Sequence, residues 1–498
     1  MDVHLKKFLR HSSNYAVGEL LAFSASFVSF PVLTRALTQN DYGVMSVFSV
    51  TLWIFLAFSR AGLAESTVRF YREYNHPEDP AAQSTYYSTF FFGTLAFALF
   101  TALLVVLFGK QLFVWLFDQD LPGFHYLFAG LIVTGSLYAR LLNFYRASQR
   151  TISYNIAMVA SRFTILAVSL SAVLLIGGTL KVYYMSILAA ETLVMVVLIG
   201  VFLSQTPVSI ASFSAPFFKT CLRFGFPLIG FELGYLLLKS VDRYIIQFML
   251  GSEAVAVFSV ASNMGHYTKD LILFPLMYAL TPIYIEIWHE KGREATSRFV
   301  STVANISLLV LIPIFLVMAL LGRELIVVLA SEKYASAGDL LGVIVAGTLL
   351  WALLPIYASG LYIEKKTNII SFTVLVCVLL DIVLNIVFVH FWGIWGSCYA
   401  ALLTCFLLAA YLSHRSRRYL KIAIHGKTLA VGLAASLVLY GVAALLPDAD
   451  QFLGVVLKMA ILVMTFAGTV LLLHGEVRRM VVAGVAHGKK LLRSSALH

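Results

Sequence analysis

Charged residues are scarce in this chain of 498 residues. Asp, Glu, Lys and Arg make up 12% of it, hydrophobic residues make up 60%, and the mean hydropathy is +0.88. Soluble proteins carry roughly twice that charged fraction, so a soluble globular fold is excluded. Runs of about 20 apolar residues recur along the whole length, and each is long enough to cross a bilayer as a helix. The composition therefore indicates a polytopic membrane protein.

Other absences narrow the function. The four cysteines all fall inside apolar runs and show neither a disulfide framework nor metal-ligand spacing: Cys221, Cys377, Cys398 and Cys405. No loop on the predicted outer side exceeds about 20 residues, which leaves no room there for a folded catalytic domain. The sequence also contains no recognisable nucleophile or metal constellation. We therefore expect a protein that is not an enzyme and holds no cofactor.

Fourteen segments are predicted as transmembrane helices. They cover residues 14–34, 44–64, 85–108, 124–146, 154–176, 182–203, 220–240, 255–283, 299–321, 340–361, 370–390, 394–413, 428–446 and 453–473. An even number places both termini on one side. On that side lie 24 lysines and arginines, against seven in the opposite loops. Positive residues gather in cytoplasmic loops, so both termini are predicted to be cytoplasmic, and the net charge of +11 indicates no nucleic-acid partner.

The sequence repeats itself at an offset of 213 residues. The clearest match pairs LFGKQLFVWL at 107–116 with LLGRELIVVL at 320–329. Glu19-Leu20 recurs as Glu232-Leu233, and Ser46 recurs as Ser259. The repeat copies the first six spans onto the next six, and both copies begin on the predicted cytoplasmic side. Parallel repeats of this kind occur in transporters, with the substrate site between the two halves.

The predicted architecture is all-α, with two parallel-repeat six-helix lobes and two extra C-terminal helices. The N-lobe is assigned to 1–203, a cytoplasmic linker to 204–219 and the C-lobe to 220–413. The extra helices occupy 414–473, and a basic cytoplasmic tail occupies 474–498.

Three segments carry a family resemblance. They are FPVLTRALTQNDYGVMSVFSV, YRASQRTISYN and FGFPLIGFELGYLLLKSVDRYIIQFMLGSEAVAVFSV, of which the last, with Asp242-Arg243, is the most specific. With the fourteen spans and paired lobes, they resemble the polysaccharide branch of the multidrug/oligosaccharidyl-lipid/polysaccharide exporter superfamily. The resemblance covers nearly the whole chain, and its motifs are mainly structural.

The resemblance implies a Wzx-type flippase of the bacterial inner membrane. Such a protein moves undecaprenyl-diphosphate-linked oligosaccharide, as for O-antigen, from the inner to the outer leaflet by alternating access. The partners implied are this lipid-linked sugar, membrane lipids, and a polysaccharide polymerase with its chain-length machinery. Peptidoglycan precursor flippases also have fourteen spans, and drug-exporting relatives usually have twelve. Both remain alternatives, the second as a cation-coupled multidrug exporter.

Cations inside predicted spans are the first candidate site residues, because a charge in lipid is costly and usually faces a cavity or a partner. Arg60, Arg140 and Arg162 lie in the predicted cytoplasmic half of the N-lobe, and Lys269 lies in span 8. Guanidinium groups suit phosphate oxygens, so these residues are predicted to line a cationic central cavity that receives a lipid diphosphate. Snorkelling to the headgroups is the alternative for the arginines.

Polar residues of span 8 form a second candidate set. Asp270 shares a helical face with His266 and Asn263, and this stripe is suited to lining the cavity. Lys269 points about 100° away from Asp270 around the helix, so we expect the two not to pair well.

Embedded carboxyl groups are candidates for coupling transport to an ion. Glu19 and Glu232 occupy equivalent places in spans 1 and 7, and Asp381 lies in span 11. Such groups can bind H+ or Na+, and the sequence leaves both ions open. The alternatives are structural hydrogen bonds, or an ion pair of Lys269 with Glu232 or Asp381.

Overall fold

The computed structural model describes residues 3–74, 78–272, 274–449, 451–475 and 477–479. Regular structure in these ranges is entirely helical. Eleven helices within them are long and apolar enough to cross a membrane, and Leu20–Ala36 is a shorter apolar helix. The predicted all-α polytopic fold is therefore confirmed, while the count of fourteen spans is approximate.

Eighteen α-helices follow one another along the described chain. They are α1 (Val3–Ala36), α2 (Gln39–Ser59), α3 (Leu63–Tyr74), α4 (Pro80–Phe117), α5 (Phe124–Ala147), α6 (Thr151–Leu175), α7 (Leu180–Gln205), α8 (Ala215–Leu250), α9 (Ser252–Ile272), α10 (Phe274–Leu320), α11 (Gly322–Leu329), α12 (Ala335–Ala352), α13 (Leu354–Tyr357), α14 (Ser359–Ile363), α15 (Thr367–Trp392), α16 (Ile394–Ser416), α17 (Gly426–Leu445) and α18 (Phe452–Leu473). Seven of the fourteen predicted spans coincide with one helix to within three residues at each end, namely those matched by α5, α6, α7, α15, α16, α17 and α18.

Several predicted spans differ from the observed helices. Span 2, predicted as one helix over 44–64, breaks after Ser59 and restarts as α3. Span 10, predicted over 340–361, becomes the three short helices α12, α13 and α14. Proline at the start of α13 explains the second interruption, because it cannot donate a helical hydrogen bond. The first has no proline and depends on two residues with left-handed backbone, which hydropathy cannot reveal.

The chain divides into two compact units, Met1–Ser259 and Val260–His498. The division falls inside α9 rather than in the predicted linker, because α8 packs against α2, α3 and α4. The first helix of the predicted C-lobe thus belongs to the first unit. The limits of the six-helix lobes stay a prediction.

Helix bounds reproduce the sequence repeat. The first residues of α2 and α9, Gln39 and Ser252, are repeat equivalents at the same offset of 213 residues that separates Ser46 from Ser259. The pairs α6 and α15, and α7 and α16, follow this spacing to within a few residues. Matching bounds at one offset are what a duplicated six-helix unit produces.

Aromatic packing holds the helices of the first unit around the start of α3. Tyr86 and Phe90 of α4 are fully buried there with Phe144 of α5. Phe144 stacks on Phe202 of α7 at a centroid distance of 4.9 Å. Buried aromatic rings contribute large apolar areas and preferred ring geometries, so this cluster fixes the frame on which the site is built.

A buried ion pair joins α18 to α11 within the second unit. Lys458 of α18 is 6% exposed, and its ammonium group lies 2.5 Å from Oε1 of Glu324 in α11. The repeat equivalent of Glu324 is Gln111, which is exposed. The acid is therefore present only in the second repeat copy, which lies in the same unit as its partner Lys458.

Candidate functional site

The interruption between α2 and α3 presents Arg60 from a turn rather than from a helix side. Arg60 follows the last residue of α2, and its N–H donates to the carbonyl of Leu56. Ala61 and Gly62 then adopt left-handed φ angles of 50° and 65°. The N–H of Leu63 donates back to the carbonyl of Arg60, which closes the turn.

The turn is packed directly against the backbone of α8. A Cβ atom added to Gly62 would lie 2.0 Å from the carbonyl oxygen of Gly225, and one added to Gly225 would lie 2.2 Å from that of Gly62. One turn further into α3, the hydroxyl of Ser66 donates to the carbonyl of Cys221 over 2.8 Å. Only glycine at both positions permits this approach.

The same face of α8 presents Glu232 to Arg60. Residues four and seven apart lie on one helical face, so Cys221, Gly225 and Glu232 line up along α8. The nearest oxygen of Glu232 is 3.9 Å from the Arg60 guanidinium, and the two side chains are 42% and 30% exposed. This separation is an ion pair but too long for a hydrogen bond.

Arg60 retains hydrogen-bonding capacity. Its Nε atom is buried, and the described residues offer it no hydrogen-bond partner. A guanidinium group has five N–H donors, and those of Arg60 can accept a bidentate anion such as a phosphate. Arg60 is thus a half-buried cation with a distant counter-ion and unused donors.

Arg140, another predicted cavity cation, is enclosed by protein. It is 2% exposed, and its donors reach Thr94, Thr67 and the carbonyl of Leu63. Its guanidinium lies 5.3 Å from the centre of the Phe90 ring. In this conformation no face of Arg140 is open to a ligand. Substrate contact by Arg140 stays a prediction.

Arg162 is exposed near the middle of α6. It lies close enough to Glu191 of α7 for their charges to interact. Glu191 accepts a hydrogen bond of 2.7 Å from the hydroxyl of Thr134 in α5. Counted from Thr151, where α6 begins, Arg162 lies about 16 Å along the helix, deeper than the sequence indicates, because the helix starts three residues earlier than predicted.

The expectation that Lys269 and Asp270 do not pair is wrong. The Lys269 ammonium lies 3.0 Å from Oδ1 of Asp270. A lysine chain with four methylene groups is flexible enough to bridge neighbouring positions on a helix, which Cβ directions alone do not show. The alternative partner Glu232 is paired with Arg60 instead. His266 is partly buried on the same helix, α9.

Asp381 is buried among polar groups of α15 and α16. It is 2% exposed, with Thr404 and Asn385 beside its carboxyl group. Asn385 in turn accepts a hydrogen bond of 2.6 Å from Ser397. Oδ1 of Asp381 has no hydrogen-bond partner within the described part of the chain. A small cation or a proton could satisfy it. The side chain of Glu19 lies outside the described residues.

Side-chain hydrogen bonds join α2 to α8 and α9 within the first unit. The repeat-equivalent serines Ser46 and Ser259 are 2.7 Å apart at their hydroxyl oxygens. Nε of Arg243 also donates to Ser259, and the hydroxyls of Thr51 and Tyr244 are 2.8 Å apart. A contact between equivalent residues is expected near an axis that relates two copies of a helix. The predicted spans place Arg243 in an outer loop, but α8 extends past it and buries it.

The glycines and hydroxyl groups that shape this site are not predicted from the sequence. Gly62, Gly225, Ser66 and Thr67 are ordinary residues in apolar segments, and only their contacts reveal a role. The one available signal was Arg60-Ala61-Gly62, a charge followed by glycine inside a span.

Two comparisons relate the sequence to known proteins. A family model described as "Polysaccharide biosynthesis protein" matches residues 8–288, more than half of the chain. The "Succinoglycan biosynthesis transport protein ExoT" of Rhizobium meliloti (strain 1021) is 22% identical over 351 residues. That match covers 69% of this chain and 66% of the relative, just under two thirds of its length.

Solved structures share the fold. "Lipid II flippase MurJ, inward closed conformation" has a TM-score of 0.72 and 14% identity, over 94% of this chain and 99% of that one. "Inward-facing conformation of a multidrug resistance MATE family transporter of the MOP superfamily" has a TM-score of 0.57 and 12% identity, over 80% and 97% of the two chains. At these identities the likeness concerns the fold alone. With the sequence matches, it confirms the predicted superfamily and its polysaccharide branch.

The Gly62–Gly225 approach generates a stability prediction. We expect Gly225→Ala to destabilise the protein by about 1–3 kcal/mol, since its Cβ would overlap the Gly62 carbonyl and force the backbones apart. Gly230→Ala, on the same helix with nothing within 4 Å of its added Cβ, is the matched control and should be neutral or slightly stabilising. Thermal unfolding in detergent measures both. Equal melting temperatures for the two variants would contradict the packing described here.

Proposed function

The chain belongs to the polysaccharide biosynthesis protein family, and from this membership we propose that it is a flippase for polyprenyl-diphosphate-linked oligosaccharide in the bacterial cytoplasmic membrane. The observation that carries the proposal is Arg60, a half-buried cation with free donors at a broken membrane helix. Neutral amphipathic cargo has no need of such a group. A diphosphate does, because its negative charge must remain compensated while it crosses a low-dielectric region.

The charges around the broken helix favour an anion. Arg60 and Arg140 are near enough for their positive charges to interact, and Glu232 is the one carboxylate that the described residues place within 4.0 Å of either. The local excess is therefore positive. When a diphosphate arrives, Arg60 can turn its donors from Glu232 to the phosphate oxygens. When the diphosphate leaves, Glu232 recovers Arg60, so the cation is never left without a counter-charge.

The remaining cations would extend this site. Arg162 is exposed in the first unit, and Lys269 is 17% exposed and held by Asp270 in the second. We keep both as substrate-contacting residues of the predicted cationic central cavity. The excess of Lys and Arg on the predicted cytoplasmic loops supports loading from the inner leaflet, with both termini in the cytoplasm.

Alternating access would give the hydroxyl pairs between α2, α8 and α9 a function. The Ser46–Ser259 and Thr51–Tyr244 bonds join α2, of the predicted N-lobe, to α8 and α9, of the predicted C-lobe. Two lobes that rock against each other must break these bonds to separate α2 from α8 and α9 at this place. Four neutral hydroxyl groups suit such a gate, because each such bond contributes only about 1 kcal/mol net.

Asp381 is the ion-coupling group that we propose. Its buried carboxyl group has an oxygen free for H+ or Na+, and the hydroxyl of Thr404 and the amide of Asn385 lie beside it. A carboxylate oxygen is a hard ligand that suits either ion. Glu232 already serves Arg60, and Asp270 already serves Lys269.

Loss of the embedded cations should stop delivery of surface polysaccharide. In a bacterium deleted for its own copy, we expect Arg60→Ala to lower export about tenfold or more, the value of a hydrogen bond to a charged group. Arg162→Ala and Lys269→Ala should have smaller effects in the same direction. Surface polysaccharide and lipid-linked units retained inside are measured together. Arg150→Gln, which removes an exposed arginine at a helix end, is the control.

The outcome separates the alternative functions. Retained lipid-linked units with unchanged drug sensitivity support the flippase. Unchanged polysaccharide with altered drug sensitivity would favour the multidrug exporter, and loss of cell-wall synthesis instead of surface polysaccharide would favour a peptidoglycan lipid precursor flippase.

A reversible cross-link tests the gate. In a chain whose four native cysteines are replaced by alanine, Ser46→Cys with Ser259→Cys should form a disulfide on oxidation, because the hydroxyls it replaces are 2.7 Å apart. We expect oxidation to stop transport and a reductant to restore it. Cysteines in place of Ser84 and Ser212, whose hydroxyls are 2.8 Å apart between α4 and the linker, are the matched pair that should leave transport running. Transport that continues while the disulfide between positions 46 and 259 is intact is incompatible with this gate.

Asp381→Asn should remove the dependence of transport on an ion gradient. The substitution keeps size and polarity but abolishes the charge that attracts H+ or Na+. Flipping of a fluorescent undecaprenyl-diphosphate oligosaccharide is measured in proteoliposomes with proton or sodium gradients imposed separately. Asp381→Glu should keep a response, and Asp118→Asn, at an exposed helix end, should behave as the native protein does. A gradient response unchanged in Asp381→Asn would place coupling elsewhere.

A further inference from the structure

Arg140 has an unusual setting for a buried arginine. It lies in α5, and its three hydrogen-bond acceptors in the described chain are two threonine hydroxyls and a carbonyl. No carboxylate among the described residues lies within 4.0 Å of it, although it is 2% exposed. Burial of a charge without a counter-charge is costly even when the charge is hydrogen-bonded. A leucine would fill this aromatic surrounding at far lower cost, so packing alone does not account for the arginine.

The groups that Arg140 holds are concentrated at one place. Two of its three acceptors, the carbonyl of Leu63 and the hydroxyl of Thr67, belong to the start of α3. The third, Thr94, anchors the guanidinium to α4 over 2.7 Å. Tyr86, also of α4, donates to the carbonyl of Thr67 over 2.5 Å. The start of α3 is therefore fixed from α4 and α5 together.

These contacts at the start of α3 keep a strained backbone turn in place. Ala61 has a left-handed φ of 50°, a backbone conformation that is strained for an L-residue with a Cβ. Such a residue persists only where the surroundings determine it. If α3 were released, α2 could continue as a regular helix through Arg60 and Ala61. Arg60 would then point from the side of a helix, in a direction set by the rotation of about 100° per residue rather than by the turn.

We propose that Arg140 is a positioning residue: by clamping the start of α3 it keeps α2 broken and holds Arg60 in the direction in which it meets the substrate diphosphate. The inference rests on the proposed function for its biological meaning, but the clamp itself is independent of any substrate. In this conformation Arg140 acts on Arg60 through Thr67 and Leu63, and this role requires no contact of its own with the ligand.

Lysine cannot take over this role. The guanidinium reaches Thr94 through Nε and the start of α3 through a terminal nitrogen, so it bridges two helices with one rigid plane. A lysine ammonium is a single point that keeps the charge but not the bridge. Arg140→Lys therefore separates positioning from electrostatic attraction, and Thr67→Val tests the clamp while leaving Arg140 in place.

The experiment reads the direction of position 60 directly. In the cysteine-free chain, Arg60→Cys is labelled in membranes with a methanethiosulfonate reagent, with and without Arg140→Lys, Arg140→Gln or Thr67→Val. We expect all three to change the labelling rate about tenfold, as for a lost hydrogen bond to a charged group. Labelling of Arg162→Cys should stay within about twofold in the same backgrounds, since it depends on no contact of Arg140. Binding of undecaprenyl diphosphate to chains retaining Arg60 should weaken with all three substitutions.

Three results would overturn the proposal: an unchanged labelling rate at position 60, equal changes at positions 60 and 162, or full rescue by Arg140→Lys. If an Arg140 variant fails to fold, Thr67→Val decides alone, because it removes one hydroxyl. A labelling change confined to position 60 without any effect on polysaccharide export would support the clamp and refute the flippase. Loss of polysaccharide export with an unchanged labelling rate at position 60 would refute the clamp and support the flippase.

Discussion

An interrupted helix inside a membrane must have its backbone groups satisfied by protein, because lipid offers no hydrogen bonds. The break at Arg60–Gly62 meets this constraint locally. Its turn closes on itself through Leu63, its glycine lies on the backbone of α8, and the next helix is held by Ser66. The break thereby ties α2, α3 and α8 into one unit, and it explains why the first compact unit extends past the predicted lobe boundary.

Under the same constraint, two embedded arginines take different roles. Arg60 and Arg140 are both embedded cations, and the sequence offers no ground for treating them differently. Arg140 meets the carbonyl of Leu63 and the hydroxyl of Thr67 at the start of α3, and it becomes part of the frame. Arg60 emerges from the turn with a carboxylate 3.9 Å away and remains able to bind. Their difference lies in the backbone between them and the neighbouring helices, not in side-chain chemistry.

Hydropathy is enough to predict the helical class and half of the helix bounds, because apolar runs are a property of the chain itself. The superfamily is predicted by the resemblance of three segments together with the paired lobes. The site was only partly predictable. The sequence identifies Arg60 and Glu232 as embedded charges, but their pairing depends on a contact between Gly62 and Gly225, which lie far apart in the chain. The Lys269–Asp270 pair was missed because Cβ geometry says little about a long flexible side chain. The left-handed turn at Ala61 was missed because alanine is the best helix former and gives no sign of strain.

Comparison of the two repeat copies separates the residues that packing requires from those that it does not. At the offset of 213 residues that separates Ser46 from Ser259, Arg60, Arg140 and Arg162 correspond to Leu273, Leu353 and Leu375, while Asp381 corresponds to Val168. Features that both copies share, such as helix lengths, satisfy the same packing requirement twice. Features that one copy has alone are not required by that packing, because an apolar residue fills the equivalent place in the other. The embedded arginines are thus a property of the first copy and the buried acid a property of the second. Such a division suits the proposed transporter, in which the arginines of the first copy contact the anionic substrate together with Lys269, and the coupling cation binds Asp381 of the second copy. The two ligands would then influence each other through the conformation of the protein rather than through shared atoms.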